Sequence, residues 1–203
     1  LSLAAQLLDT IALSVLDSPE DLNNQELANI LWAFATAGRG DRVLSERLVQ
    51  SLMLKPVAMT QHSPNNHNNA RNGNLFKPQE LSNSIWALAT MGTRGPQQQI
   101  SISFTADILK DPSKIQLFKP QELSNTAWGV GTLLSKRPDL TQQAEINHNQ
   151  TSTTSPDAKA QLYHDETTAA TSVLRSVLQV LKNSPDTFKP QEIANTLWAC
   201  ATL

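Results

Sequence analysis

The sequence predicts an all-α protein, an α-solenoid of helical-hairpin repeats interrupted by two disordered polar inserts, and three observations carry that prediction. One phrase occurs four times: LNNQELANILWAFATAG from Leu22, FKPQELSNSIWALATMG from Phe76, FKPQELSNTAWGVGTLL from Phe118 and FKPQEIANTLWACATL from Phe188. A recurring phrase implies one structural unit used several times, so the fold reduces to how the units stack. Between the copies lie amphipathic segments with apolar residues at helical spacing. Two further stretches, rich in Asn, Gln, His, Ser and Thr, have no apolar periodicity at all and bury too little to offset ordering entropy.

Residues 1–21 read as the second helix (B) of a preceding unit, with Leu8, Ile11, Ala12 and Val15 on one face. Unit 1 spans 22–75. Its helix A is capped by Asn23 with Glu26 three residues on and ends at Gly38, its helix B carries Leu44, Leu48 and Leu52, and its insert covers 60–74. Unit 2 spans 76–117, with Pro78 at the first helical position, Glu80 reaching back to the helix start and Gly92 ending helix A. Its second segment, Ile100 to Phe104, alternates like a strand, but the repeat demands a helix there and Ala106 and Leu109 continue a helical face from Ile102. Unit 3 spans 118–187. It has Leu134 where a glycine would stand and Gly129 and Gly131 inside helix A, which should make that helix the weakest of the four. Its insert covers 141–161, and Leu174, Val177, Leu178 and Leu181 mark its helix B. Residues 188–203 are helix A of a fourth unit, so the chain reads as a piece of a longer array. The spacings of Trp32, Trp86, Trp128 and Trp198 are 54, 42 and 70 residues, and the inserts account for the two long ones.

Within helix A, Leu27, Leu31 and Phe34 form one apolar stripe, and Trp32 with Ala28 and Ala35 lies about a hundred degrees round the helix, so two faces should be buried. Trp32, Trp86, Trp128 and Trp198 are expected in the core between repeats, the alternative being platforms for RNA bases. Asn29, Asn83, Asn125 and Asn195, each three residues earlier, are expected to satisfy backbone groups of the adjacent unit and fix stacking register, the alternative being base-edge hydrogen bonds. A position that never varies cannot encode different bases, so base contacts are sought at the varying positions Ser82, Ser84, Ser124, Thr126 and Thr196. Tolerant packing is the other account of that variation. Lys77, Lys119 and Lys189 stand at the N-terminal mouth of helix A. Stacked units would align them into a row that suits phosphates, provided Glu80, Glu122 and Glu192 fold back as caps and do not point outward to cancel the field.

A formal charge of −2 and a pI near 6.1 give no overall basic field, so any nucleic-acid binding must be local. The single cysteine, Cys200, excludes an internal disulfide framework and a cysteine-rich zinc site, and points to a reducing compartment. His62, His67, His148 and His164 lie in or beside the inserts with no helical ligand pair, so no metal or cofactor is expected. The triplet Asn149-Gln150-Thr151 sits in low-complexity sequence and is discounted as a glycosylation site. No apolar run has membrane-spanning length and no signal-peptide pattern opens the chain. No phosphate-binding glycine loop, nucleophile elbow or recurring acid pair is present, and catalytic residues, an enzymatic role and a small-molecule substrate are not expected.

The phrase PQEL-small-N-x-x-WA-x-A-T-x-G resembles the octotricopeptide repeat, and is similar to the leucine-rich region of the FAST kinase and RAP-domain proteins and to the helical domain of the RNA-editing substrate-binding complex subunit 6. The resemblance covers helix A in all four units and, more loosely, helix B. It implies an armadillo/HEAT-like superhelix in the mitochondrial matrix or the chloroplast, binding single-stranded organellar RNA, alongside other RNA-processing proteins, in processing, stability, editing or translation. An armadillo-like protein-interaction scaffold without RNA is the alternative that the repeat geometry alone would equally support.

Overall fold

Helix A of every repeat is closed at its start by its own carboxylate. The backbone N–H groups of Asn23, Lys77, Lys119 and Lys189 donate to Glu26, Glu80, Glu122 and Glu192 at 2.7–2.9 Å. Asn23 completes the box, its Oδ1 accepting from the Glu26 N–H at 3.0 Å. An ammonium has no lone pair, so the lysine repeats keep only the carboxylate half. Two of the helices stop at glycines in the left-handed region, Gly38 (φ 66°) and Gly92 (φ 74°). There the following N–H reaches back to a carbonyl, Arg39 to Phe34 at 2.9 Å and Thr93 to Leu88 at 3.0 Å.

The computed structural model describes residues 3–40, 42–53, 76–135 and 156–203, with side chains from residue 6 in the first segment and from residue 160 in the last. Among them it is all-helical: α1 (Leu3–Asp17), α2 (Asn24–Thr36), α3 (Arg42–Met53), α4 (Pro78–Met91), α5 (Pro96–Leu109), α6 (Pro112–Ile115), α7 (Pro120–Ser135), α8 (Pro156–Asn183) and α9 (Pro190–Cys200), with 3-10 turns at Pro19–Asp21 and Pro185–Thr187. The four phrases are α2, α4, α7 and α9. The insert at 60–74 lies outside the described residues, as does 141–155. The second insert is shorter than the expected 141–161, because α8 begins at Pro156, where a proline can open a helix and the residues after it are mostly good helix formers.

Helices of the same kind pack side by side in chain order. α2 lies on α4, α4 on α7 and α7 on α9, while α1, α3, α5 and α8 form a second row behind them. Leu27, Leu81 and Leu123 point from the first row into that second row and are fully buried, as are Phe34, Leu88 and Val130. Phe76 and Phe188, at the head of their phrases, are also buried, and Phe76 meets Phe104 of α5 edge-on at 5.3 Å. The helical form of α5 overrides its alternating pattern because its hydroxyls are satisfied locally. Ser101 donates to the Gln97 carbonyl at 2.6 Å and Thr105 to the Ser101 carbonyl at 2.7 Å, so both are buried without a lost bond.

The seams between phrase helices are built from small residues. A methyl added at Gly129 would sit 2.6 Å from Ile85 Cγ2 of α4, and one at Gly131 would sit 2.9 Å from the Ala199 Cα of α9. The two glycines are two residues apart and so face opposite neighbours. The expectation that they weaken α7 considered helix propensity alone. Here they let α7 approach α4 and α9 closely, and α7 runs through Leu134 to Ser135 because no glycine stops it.

Candidate nucleic-acid interface

On each phrase helix one stripe is left facing away from both seams and from the second row. It comprises Gln25, Asn29, Trp32 and Thr36 on α2, Gln79, Asn83, Trp86 and Thr90 on α4, Gln121, Asn125 and Trp128 on α7, where the threonine that follows, Thr132, is buried, and Gln191, Asn195 and Trp198 on α9 with Thr202 just beyond its end. The steps of four, three and four residues hold these side chains in line along the axis. Ring contacts bring three stripes to one surface: Trp86 and Trp128 have centroids 6.4 Å apart at 31°, and Trp128 and Trp198 6.3 Å apart at 29°.

This corrects the placement of the tryptophans in the interior. Trp32 and Trp198 are 47% and 44% exposed, and Trp86 and Trp128 are half-buried, leaning on the core from outside. The residues that do fill the seam lie beside them in sequence. Leu31, Ile85 and Ala127 precede the tryptophan and are fully buried, as are Ala87, whose place Gly129 takes on α7, and Ala89. Two small residues at the seam cost little volume, whereas an indole would force the helices apart.

The asparagines are corrected too. Asn29 is exposed and Asn83, Asn125 and Asn195 are partly so. None of the first three makes a hydrogen bond among the described residues, and Asn195 Oδ1 accepts only from Gln191 Nε2 of its own helix, at 2.9 Å. They do not bond a neighbour's backbone. The four indole N–H groups likewise have no acceptor among the described residues.

The varying positions chosen for base contact are the ones the fold hides. Ser82, Ser84, Ser124, Thr126 and Thr196 are at most 1% exposed. Ser84, Thr126 and Thr196 return their hydroxyl hydrogens to the carbonyls four residues back, of Glu80, Glu122 and Glu192, at 2.7–2.8 Å. Ser82 donates to the Gln79 carbonyl, and Ser124 donates across the seam to the Glu192 carbonyl of α9 at 3.1 Å. They are seam residues.

At the N-terminal mouths, Lys77, Lys119 and Lys189 are exposed while the carboxylates beside them fold back, and Glu80 and Glu192 are buried. Lys77 Nζ stays 3.7 Å from its own Glu80 Oε1. Lys119 and Lys189 have no ion pair among the described residues. Each ammonium therefore borders the amide end of a stripe.

Away from this surface, a cleft of about 360 Å³ opens between the start of α3 and the α4–α5 connection, lined by Arg42, Ser45, Met91, Thr93, Arg94 and Gln97. It lies at the other end of α4 from Lys77, roughly 20 Å away at 1.5 Å per residue. Arg39 pairs with Asp9 of α1. Burial pushes the Cys200 thiol up from its ordinary value. Among the described residues, no group of His, Cys, Asp and Glu could hold a metal ion, and no helix is long and apolar enough to cross a membrane. No protein-family model, curated protein or solved structure matches this chain.

Proposed function

We propose that the chain is an organellar RNA-binding adaptor, an α-solenoid of octotricopeptide-like hairpins that holds single-stranded RNA across α2, α4, α7 and α9. It acts in mitochondrial or chloroplast RNA processing, stability, editing or translation, alongside other RNA-processing proteins, and catalyses no reaction itself. One observation carries the reading: the same amide and indole side chains stand on the open stripe of every phrase helix, with the amides and indole N–H groups almost wholly unspent. Packing does not require the amides there. Exposed aromatic rings, amides and a bordering row of ammonium groups are the elements with which proteins hold single strands, rings and amides meeting bases and cations meeting phosphates. The mouth carboxylates fold back as caps onto the helix starts, which leaves the lysine ammonium groups as the exposed charges there.

The experiment is titration of a labelled single-stranded RNA with the chain and with the variant Gln79→Ala, Asn83→Ala, Gln121→Ala, Asn125→Ala. These side chains support no neighbour, so the unfolding midpoint should hold while affinity falls at least about tenfold, the sum of several modest hydrogen bonds. A chain that binds no RNA, or a variant that binds as well as the parent, overturns the assignment and leaves the protein-interaction scaffold.

A further inference from the structure

We infer that this surface binds single-stranded RNA without discriminating between bases, an inference that rests on the RNA-binding reading above. Recognition of sequence requires accessible side chains that differ from one repeat to the next. On α4 and α7, the helices packed on both flanks, the side chains accessible along the helix body are Gln79, Asn83, Trp86 and Thr90, and Gln121, Asn125 and Trp128. The two sets share glutamine, asparagine and tryptophan in the same order, and differ only in that the threonine after them is exposed on α4 (Thr90) and buried on α7 (Thr132). From Ser84 to Ala89 every varying position, Ser84 against Thr126, Ile85 against Ala127, Ala87 against Gly129, Leu88 against Val130 and Ala89 against Gly131, is buried. Variation beside the shared side chains is confined to the seams, and the next varying pair, the partly buried Met91 against Leu133, lies at the far end of the helices from the lysines.

The constant side chains are also permissive. A carboxamide offers one donor and one acceptor and can turn over about its last bond, so it pairs with the Watson–Crick edge of any of the four bases. An indole N–H finds an acceptor on each of them. Trp128 has a ring on either side, at 6.4 and 6.3 Å, so its faces are occupied and it presents an edge. A strand crossing the row meets one equivalent site after another, and its phosphates meet equivalent ammonium groups. Affinity then scales with the number of stripes spanned, and base identity drops out.

Equal lengths of oligo(A), oligo(U) and oligo(C), about twenty nucleotides each, titrated against the whole chain, decide this. The expected result is three dissociation constants within about threefold of one another, and an equal fractional loss for all three in Asn83→Ala/Asn125→Ala. A preference above tenfold for one homopolymer, or a loss in the double variant confined to one of them, overturns base-neutral binding while leaving RNA binding in place. Failure to bind all three overturns both.

Discussion

The same phrase gives two different surfaces in α7 and α9, and the difference lies in the neighbours. α7 is held on one side by α4 and on the other by α9, whereas among the described residues α9 has α7 on one side only. The position before the tryptophan is the fully buried Ala127 in α7 and Leu197, 54% exposed, in α9. The third residue after it is the buried Gly131 in α7 and the exposed Ala201 in α9. On the flank that meets α7, Thr196 and Ala199 are buried as completely as Thr126 and Gly129. Burial in this protein is thus decided seam by seam. A repeat supplies both halves of a seam and completes each only when another repeat supplies the match.

The largest test of that comparison is loss of a seam side chain. Ile85→Ala, at a fully buried position against α7, should cost about 3 kcal/mol, whereas Leu197→Ala at the same repeat position should stay within about 0.5 kcal/mol, both read from urea unfolding midpoints. Equal costs would break the comparison. Overfilling comes next. Gly129→Ala gains helix propensity but meets Ile85 at 2.6 Å, so a net loss of about 1–3 kcal/mol is expected. A gain in stability would mean the α4–α7 approach is looser than described.

Smaller still is the ring row. Trp86→Ala removes a half-buried ring tilted against Trp128 and should cost about 2 kcal/mol. Trp32→Ala, at 47% exposure and with no ring partner among the described residues, should cost about 1 kcal/mol or less. A fully interior ring would lose roughly 3–5 kcal/mol, so the Trp86 value separates the outer ladder from the core. The smallest effect on stability belongs to Lys77→Gln/Lys119→Gln/Lys189→Gln, within about 0.5 kcal/mol. Its signature is in binding. If each lysine meets a phosphate, the log–log slope of RNA affinity against salt should shrink by about 2 at roughly 0.7 per contact, and unchanged slopes would remove the lysine row from the interface.

The sequence by itself determined that the chain is helical and where the phrase helices start. The Glu three residues after each cap, Pro78, Gly38 and Gly92 act within one turn of backbone, so local rules read them, whereas α5 was legible only because the repeat outweighed its alternating pattern. It did not determine which side of helix A is open. Periodicity separates an apolar stripe from the rest. It cannot say whether Trp86 or the adjoining Ile85 and Ala87 enter the seam, because all are compatible with burial. The tertiary structure decided this through distance. Helices that pack as closely as α7 does on α4 and α9 admit alanine, glycine and back-bonded serine or threonine between them. The bulky indole and the carboxamides are pushed outward, so they reach solvent while the varying residues of a completed seam are sealed in.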